Sequence, residues 1–161
     1  GVQTCALPIF ETRELFWYGC HECMTLEPIM SEWRDNLAGD LVFVRTPAVF
    51  NDLMALHARI YYTGIALKME DRINEAAFRA VQEQENPLRT EAQIKDFFVK
   101  NKVGADAFTA AWNSDTVIKA VQQARERTLA YGITRLPSVI VNGRYQITLN
   151  AKVFKIGRAH V

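Results

Sequence analysis

Two cysteines, Cys20 and Cys23, stand three positions apart in the stretch "ELFWYGCHECMTLEP", with His21 and Glu22 between them. Such a pair can shuttle between dithiol and disulfide, ligate a metal, or form an inert local bridge. The redox reading has a specific physical basis if a helix begins at the first cysteine. Backbone N–H groups and the positive end of the helix dipole then face that sulfur and favour its thiolate, which makes it both nucleophile and good leaving group. Cys20 is the exposed, attacking sulfur on this reading. Cys23, one helical turn further in, is placed to resolve a mixed disulfide and is expected to be more buried. A structural zinc site wants four ligands, and outside the chain ends only these two cysteines, His21 and His57 are on offer; no second Cys-x-x-Cys is present. An inert bridge is compatible with the spacing, although so short a loop stabilises a fold little in the chain-entropy view.

The elements that must position the pair are legible on either side of it. Glu11 to Tyr18 carries Leu15, Phe16, Trp17 and Tyr18 and is bounded by Gly19, which predicts a strand buried on both faces. The apolar period then changes: Leu26, Ile29, Met30, Trp33 and Leu37 fall at helical spacing, with Pro28 expected to kink the helix and Gly39 to end it. "LVFVRTP", residues 41 to 47, predicts a second strand closed by Pro47. From about Phe50 to Tyr131 the strand signal vanishes. Helical periodicity runs through Leu53, Leu56, Ile60, Tyr61 and Leu67, and further helices are predicted over Arg72 to Gln82, Glu91 to Lys100 and Thr116 to Ala130. Thr90 with Gln93 fits a capping box, while Asn86-Pro87 and Gly104 mark breaks. Beyond Ile133, Val139 to Val141 and a strand from Arg144, joined at Asn142-Gly143, predict a hairpin with a type I′ turn. His57, in "ALHARIYY", reads as a packed or half-exposed helix residue rather than a ligand or base.

Composition bounds the function classes. A chain of 161 residues with 49% hydrophobic content can bury a core without staples, which predicts one globular chain fold. The net charge of +1 gives no electrostatic footprint for nucleic acid, and no apolar run reaches the roughly 18 residues of a membrane span. The ends, "GVQTCALPI" and "IGRAHV", read like translated sequencing-adapter DNA and are set aside as residues 1–9 and 156–161. On that expectation Cys5 is not native, the natural protein is longer at both ends, and a signal peptide would lie outside this sequence.

"FWYGCxxCxxLEP" after a strand, a large helical insertion, and a distant "GITRLPSVIVNGRY" together resemble the DsbA-type thiol:disulfide oxidases of the bacterial periplasm, over about residues 10 to 150. The resemblance implies an α/β, thioredoxin-like fold with an inserted helical domain. The thioredoxin-like part would be discontinuous, 10–49 and 131–155, and the insert 50–130. It implies Cys20 as nucleophile, Cys23 as resolving cysteine, and Leu136-Pro137 as a cis-proline loop beside the dithiol that pairs with extended substrate. Without it, a trans proline opening a strand would be the default. Glu14, six residues before Cys20, occupies the place of a buried acid beneath the active site; buried, it would have a raised pKa and exchange a proton with Cys23, whereas the alternative is a solvated strand residue. The implied partners are reduced or unfolded cysteine-containing proteins and a membrane quinone reductase for reoxidation, with no cofactor, no metal and no nucleic acid. The chain departs from the oxidising members between its cysteines, where they carry Pro-His and this sequence has His21-Glu22. A glutamate there sets an anion near an anion and should make a weaker oxidant unless it points to solvent, with a protonated His21 as compensation. A reductase or isomerase role and a non-catalytic peptide-binding module are the alternatives. The resemblance also places a last strand and helix after about residue 150, so that loss of both would uncover a sheet edge and lower stability.

Overall fold

The computed structural model describes residues 10–37, 39, 41–142, 145–150 and 153–156, with the backbone alone at 145, 147–150 and 153–156. The chain runs β1 (Phe10–Phe16), α1 (His21–Asp35), β2 (Leu41–Pro47), α2 (Asp52–Ala66), α3 (Glu70–Gln82), α4 (Glu91–Lys100), α5 (Ala105–Trp112), α6 (Asp115–Ala130), β3 (Ser138–Val141), β4 (Tyr145–Asn150) and β5 (Val153–Ile156). The five strands form one mixed sheet in the order β2-β1-β3-β4-β5. β1 pairs in parallel with β2 and antiparallel with β3, so the strand that delivers the cysteines has neighbours on both edges. Thr12 to Phe16 are accordingly buried without a break, polar residues included.

The sheet's two faces receive different partners. Val139 packs with Leu26 and Met30 of α1, while Leu15 and Ile140 pack with Ala48, Met54 and Ile133. The largest apolar cluster lies among the helices and reaches the sheet end through Phe16 and Tyr18. It joins them to Cys23, Ile60 and Tyr61 of α2, Ile73 and Phe78 of α3, and Phe98, Phe108 and Trp112 beyond. Gly64 lets α2 approach α3 closely, since a Cβ there would stand 3.2 Å from Ile73.

Several boundaries differ from those the sequence predicts, each for a local reason. β1 ends at Phe16, and Trp17 to Gly19 form a turn closed by Cys20 N–H donating to the Trp17 carbonyl at 3.0 Å. α1 stops at Asp35, four residues before Gly39, because Asn36 donates from its backbone to the Trp33 carbonyl and from its side chain to the Glu32 carbonyl at 2.8 Å. Leu37 therefore lies outside the helix, and of its expected apolar stripe Ile29 and Trp33 are exposed. Pro28 sits on the exposed side of α1 and the helix continues through it. The sequence reading missed α5 altogether; its signal was the Phe108/Trp112 pair at i,i+4, and Gly104, read as a break, is its N-cap. α3 and α6 begin one or two residues early, on Glu70-Asp71 and on Asp115, where acidic side chains meet the helix dipole. Thr90 caps α4 through the Gln93 N–H at 3.1 Å, but the returning Gln93 side chain accepts from Arg89 N–H instead of Thr90.

β4 begins at Tyr145. The type I′ turn at Asn142-Gly143 and the placement of Arg144 and Cys5 fall outside the described residues. β5, which takes in Ile156, pairs antiparallel with β4, so the edge expected to be bare after residue 150 has a partner strand. Among the described residues no helix is long and apolar enough to cross a membrane.

Candidate active site

The turn after β1 places Cys20 at the N-cap of α1, in extended conformation (φ −84°, ψ 114°), and its sulfur accepts the Cys23 backbone N–H at 3.1 Å. Cys20 and Cys23 are joined as a disulfide, with their Cα atoms 5.2 Å apart. The two sulfurs have unequal access: Cys20 is half-buried and Cys23 has no exposure at all. An incoming thiolate can therefore reach the first and not the second. His21 and Glu22 are both exposed in the first turn, where Glu22 also meets the positive end of the dipole.

Glu14, the candidate acid, is fully buried on β1. Burial holds its carboxyl up at about 8, with the nearby Glu27 adding to the rise and Arg45 opposing it. Arg45 Nε lies 3.7 Å from Glu14 Oε2, close enough to attract but too far to hydrogen-bond, and neither Glu14 oxygen has a hydrogen-bond partner. Desolvation therefore wins over the ion pair. Arg45 is held elsewhere, by Glu27, by Ser31 Oγ at 3.0 Å and by Asp71 at 3.8 Å. The sign of the pH effect follows. The folded chain binds the Glu14 proton more tightly than the unfolded one, so the stability Glu14 contributes is fully present below about 4.5 and is lost as pH rises through about 8. Glu14→Gln is expected to flatten that decline when denaturant midpoints are compared between pH 5 and 9; an unchanged slope would mean that the carboxyl ionises freely.

The Leu136–Pro137 bond is cis. Leu136 packs against the same apolar cluster as Cys20 and Met24, and Ser138 Oγ donates to the Arg135 carbonyl across the proline at 2.6 Å. His57 is buried in α2, as a packed residue, with its Nδ1 accepting the Trp17 indole N–H at 2.9 Å. Indole only donates, so the ring carries its proton on Nε2, which faces the Pro87 and Leu88 carbonyls at 3.1 and 3.2 Å. Burial lowers the His57 pKa and keeps the ring neutral. Gly19 is needed under this arrangement because a Cβ would fall onto the Trp17 ring.

A sequence profile of the DSBA-like thioredoxin domain matches residues 23–157. The thiol:disulfide interchange protein DsbA of Pseudomonas aeruginosa is 30% identical over 141 residues, 88% of this chain and 67% of that protein. Its counterpart in Azotobacter vinelandii is 33% identical over 88% of this chain and 66% of its own length. The chain belongs to the DsbA-like thioredoxin family. The crystal structure of Pseudomonas aeruginosa DsbA superposes with a TM-score of 0.80 at 30% identity, over 88% of this chain and 74% of that one. That of Xylella fastidiosa DsbA gives 0.80 at 30% identity, over 88% and 79%. The fold is thus thioredoxin-like, and this DsbA-like chain is a thiol:disulfide oxidoreductase.

Sequence reasoning passed over the two charged residues that surround Glu14. Arg45 is a lone cation inside the apolar run of β2, and Glu27 follows Leu26 on the face of α1 that meets the sheet. A charge in the middle of a strand whose neighbours are buried was the available signal, because such a charge needs a partner.

Proposed function

We propose that the chain introduces disulfides into reduced, cysteine-containing proteins of the bacterial periplasm. A substrate thiolate attacks Sγ of Cys20, a new S–S bond forms there, and the Cys20–Cys23 bond breaks with its electron pair on the Cys23 sulfur. A second substrate thiolate then attacks the substrate sulfur of the mixed disulfide. Substrate leaves oxidised by two electrons and the Cys20/Cys23 pair remains reduced. Glu14 serves as the proton reservoir: a carboxyl that holds its proton to about pH 8 can supply it to the departing Cys23 sulfur and take it back when Cys23 attacks. The loop at Leu136 and Pro137 is the surface for extended substrate, as an added strand would pair there. A membrane quinone reductase restores the disulfide. In this reading residues 10–49 and 131–155 form the thioredoxin-like domain and 50–130 the insert.

One observation carries the reading: the half-exposed Cys20 sulfur caps α1 and accepts the Cys23 N–H at 3.1 Å, an arrangement that stabilises a thiolate there and favours the reduced protein. The test is the redox equilibrium of the pair against glutathione. A potential near or above roughly −150 mV marks a disulfide donor, and one near roughly −250 mV marks a reductase or isomerase.

Glu22 tunes that value. Its carboxylate sets an anion in the first turn of α1, which opposes a thiolate at Cys20. Glu22→His removes an anion and adds a donor beside Cys20, so the potential should rise by on the order of 10 mV or more. An unchanged or lower potential in that variant would remove Glu22 from the account.

A further inference from the structure

The turn that carries Cys20 is held from outside the sheet by side chains of the helical block. Tyr18 OH donates to Asn74 Oδ1 at 2.5 Å, and Trp17 reaches His57 as described. The backbone of the turn is held from the same block. Gln82, the last residue of α3, directs its amide nitrogen at the carbonyls of Tyr18, at 2.6 Å, and Cys20, at 2.9 Å. An amide has two N–H donors on one nitrogen, and here they span the two carbonyls that flank Gly19. We infer that Gln82 is a positioning residue for the dithiol, fixing from α3 the backbone conformation in which Cys20 can cap α1.

The physical link runs through one torsion. Cys20 Sγ meets the Cys23 N–H only while Cys20 keeps its extended N-cap conformation, and ψ of Cys20 is set by where its carbonyl points. That carbonyl already accepts the first helical bond, from Met24 N–H at 3.2 Å; the Gln82 amide adds a second donor from a different element. Holding the Tyr18 carbonyl as well keeps the flexible Gly19 between two anchored peptide units. Without the amide, the turn can rotate and the sulfur spends part of its time away from the N–H and the dipole. The disulfide tolerates this because its geometry is covalently fixed, whereas the reduced thiolate does not. Gln82 therefore acts on the difference between the two redox states. The segment after α3 is itself tightly specified, with Glu85 and Leu88 at φ 52° and 48°.

The experiment compares the reduced full chain with Gln82→Met, which keeps the side chain's length without its donors, and with Gln82→Ala. Arg59→Met is the control for general loosening of the helical block. Arg59 Nε donates to the Trp112 carbonyl at 2.9 Å and its guanidinium lies 4.2 Å from the Trp112 ring, with no hydrogen bond to the Cys20 turn among the described residues. The readouts are the thiolate titration by ultraviolet absorbance and the equilibrium with glutathione. Both Gln82 variants are expected to raise the thiol pKa by about half a unit, roughly threefold in acid dissociation constant, and to shift the equilibrium toward disulfide by a similar factor. Arg59→Met should move neither. A wild-type titration in either Gln82 variant, or an equal shift in Arg59→Met, overturns the inference. The role assigned to Gln82 rests on Cys20 being the attacking sulfur, which Cys20→Ser checks separately. In Cys20→Ser only Cys5 and Cys23 remain to titrate: if the lowest thiolate step of the wild type survives there, both assignments are overturned; if it is lost there but ignores Gln82→Met, only the second is.

Discussion

Cys20→Ser is expected to abolish disulfide transfer to reduced peptides, a loss of at least about 10³-fold, while leaving the chain folded. Removing one sulfur leaves no bond for a substrate thiolate to attack. The fold should survive because serine is itself a preferred N-cap, and its Oγ can accept the Cys23 N–H that the sulfur accepts at 3.1 Å. Far-ultraviolet circular dichroism should therefore match that of the reduced wild type. Cys23→Ser behaves differently: Cys20 keeps its position and can attack a substrate disulfide, but nothing resolves the product, so a mixed disulfide accumulates on gels run without reductant. A chain that instead binds peptides equally well with and without Cys20, and never transfers a disulfide, would be the binding module of the same fold.

Arg45→Met is expected to cost about 3–5 kcal/mol in chemical denaturation at pH 7. Arg45 on β2 ties together β1, α1 and α3, through Glu14, Glu27 with Ser31, and Asp71. Its loss leaves two carboxyls that are already pushed up by burial without their counter-charge. Glu14 already holds its proton at pH 7, so the cost falls mainly on Glu27, which must take up a proton or draw in water. A second change, Glu14→Leu, should recover part of the loss in that background, since it removes the more deeply buried of the two groups. Equal midpoints for wild type and Arg45→Met would show that the cluster is hydrated and contributes no net stability.

Much of the site was written locally in the sequence. The Cys20/Cys23 spacing, the strand before it and the helical period after it are short-range signals, and α4 was found with both ends correct because Thr90 caps it. α5 was passed over because eight residues carry too little periodicity to separate from a loop, although Trp112 is wholly buried. The end of α1 was missed because a polar residue, Asn36, ended the helix before the expected glycine.

What the sequence determined by itself is the chemistry available: two thiols one helical turn apart after an apolar strand, and a Leu-Pro before a hairpin. Those are properties of residues near one another in the chain, where propensity and spacing carry the information. Only the tertiary structure decided which residues distant in the chain come together. Glu14 and Arg45 meet because β1 and β2 pair in parallel with Glu14 opposite Arg45, and Gln82 reaches Cys20 across 62 positions because α3 packs its end on the turn. Burial is a property of that packing, so the raised Glu14 pKa, the neutral His57 and the unequal exposure of the two cysteines appear only when the chain has folded.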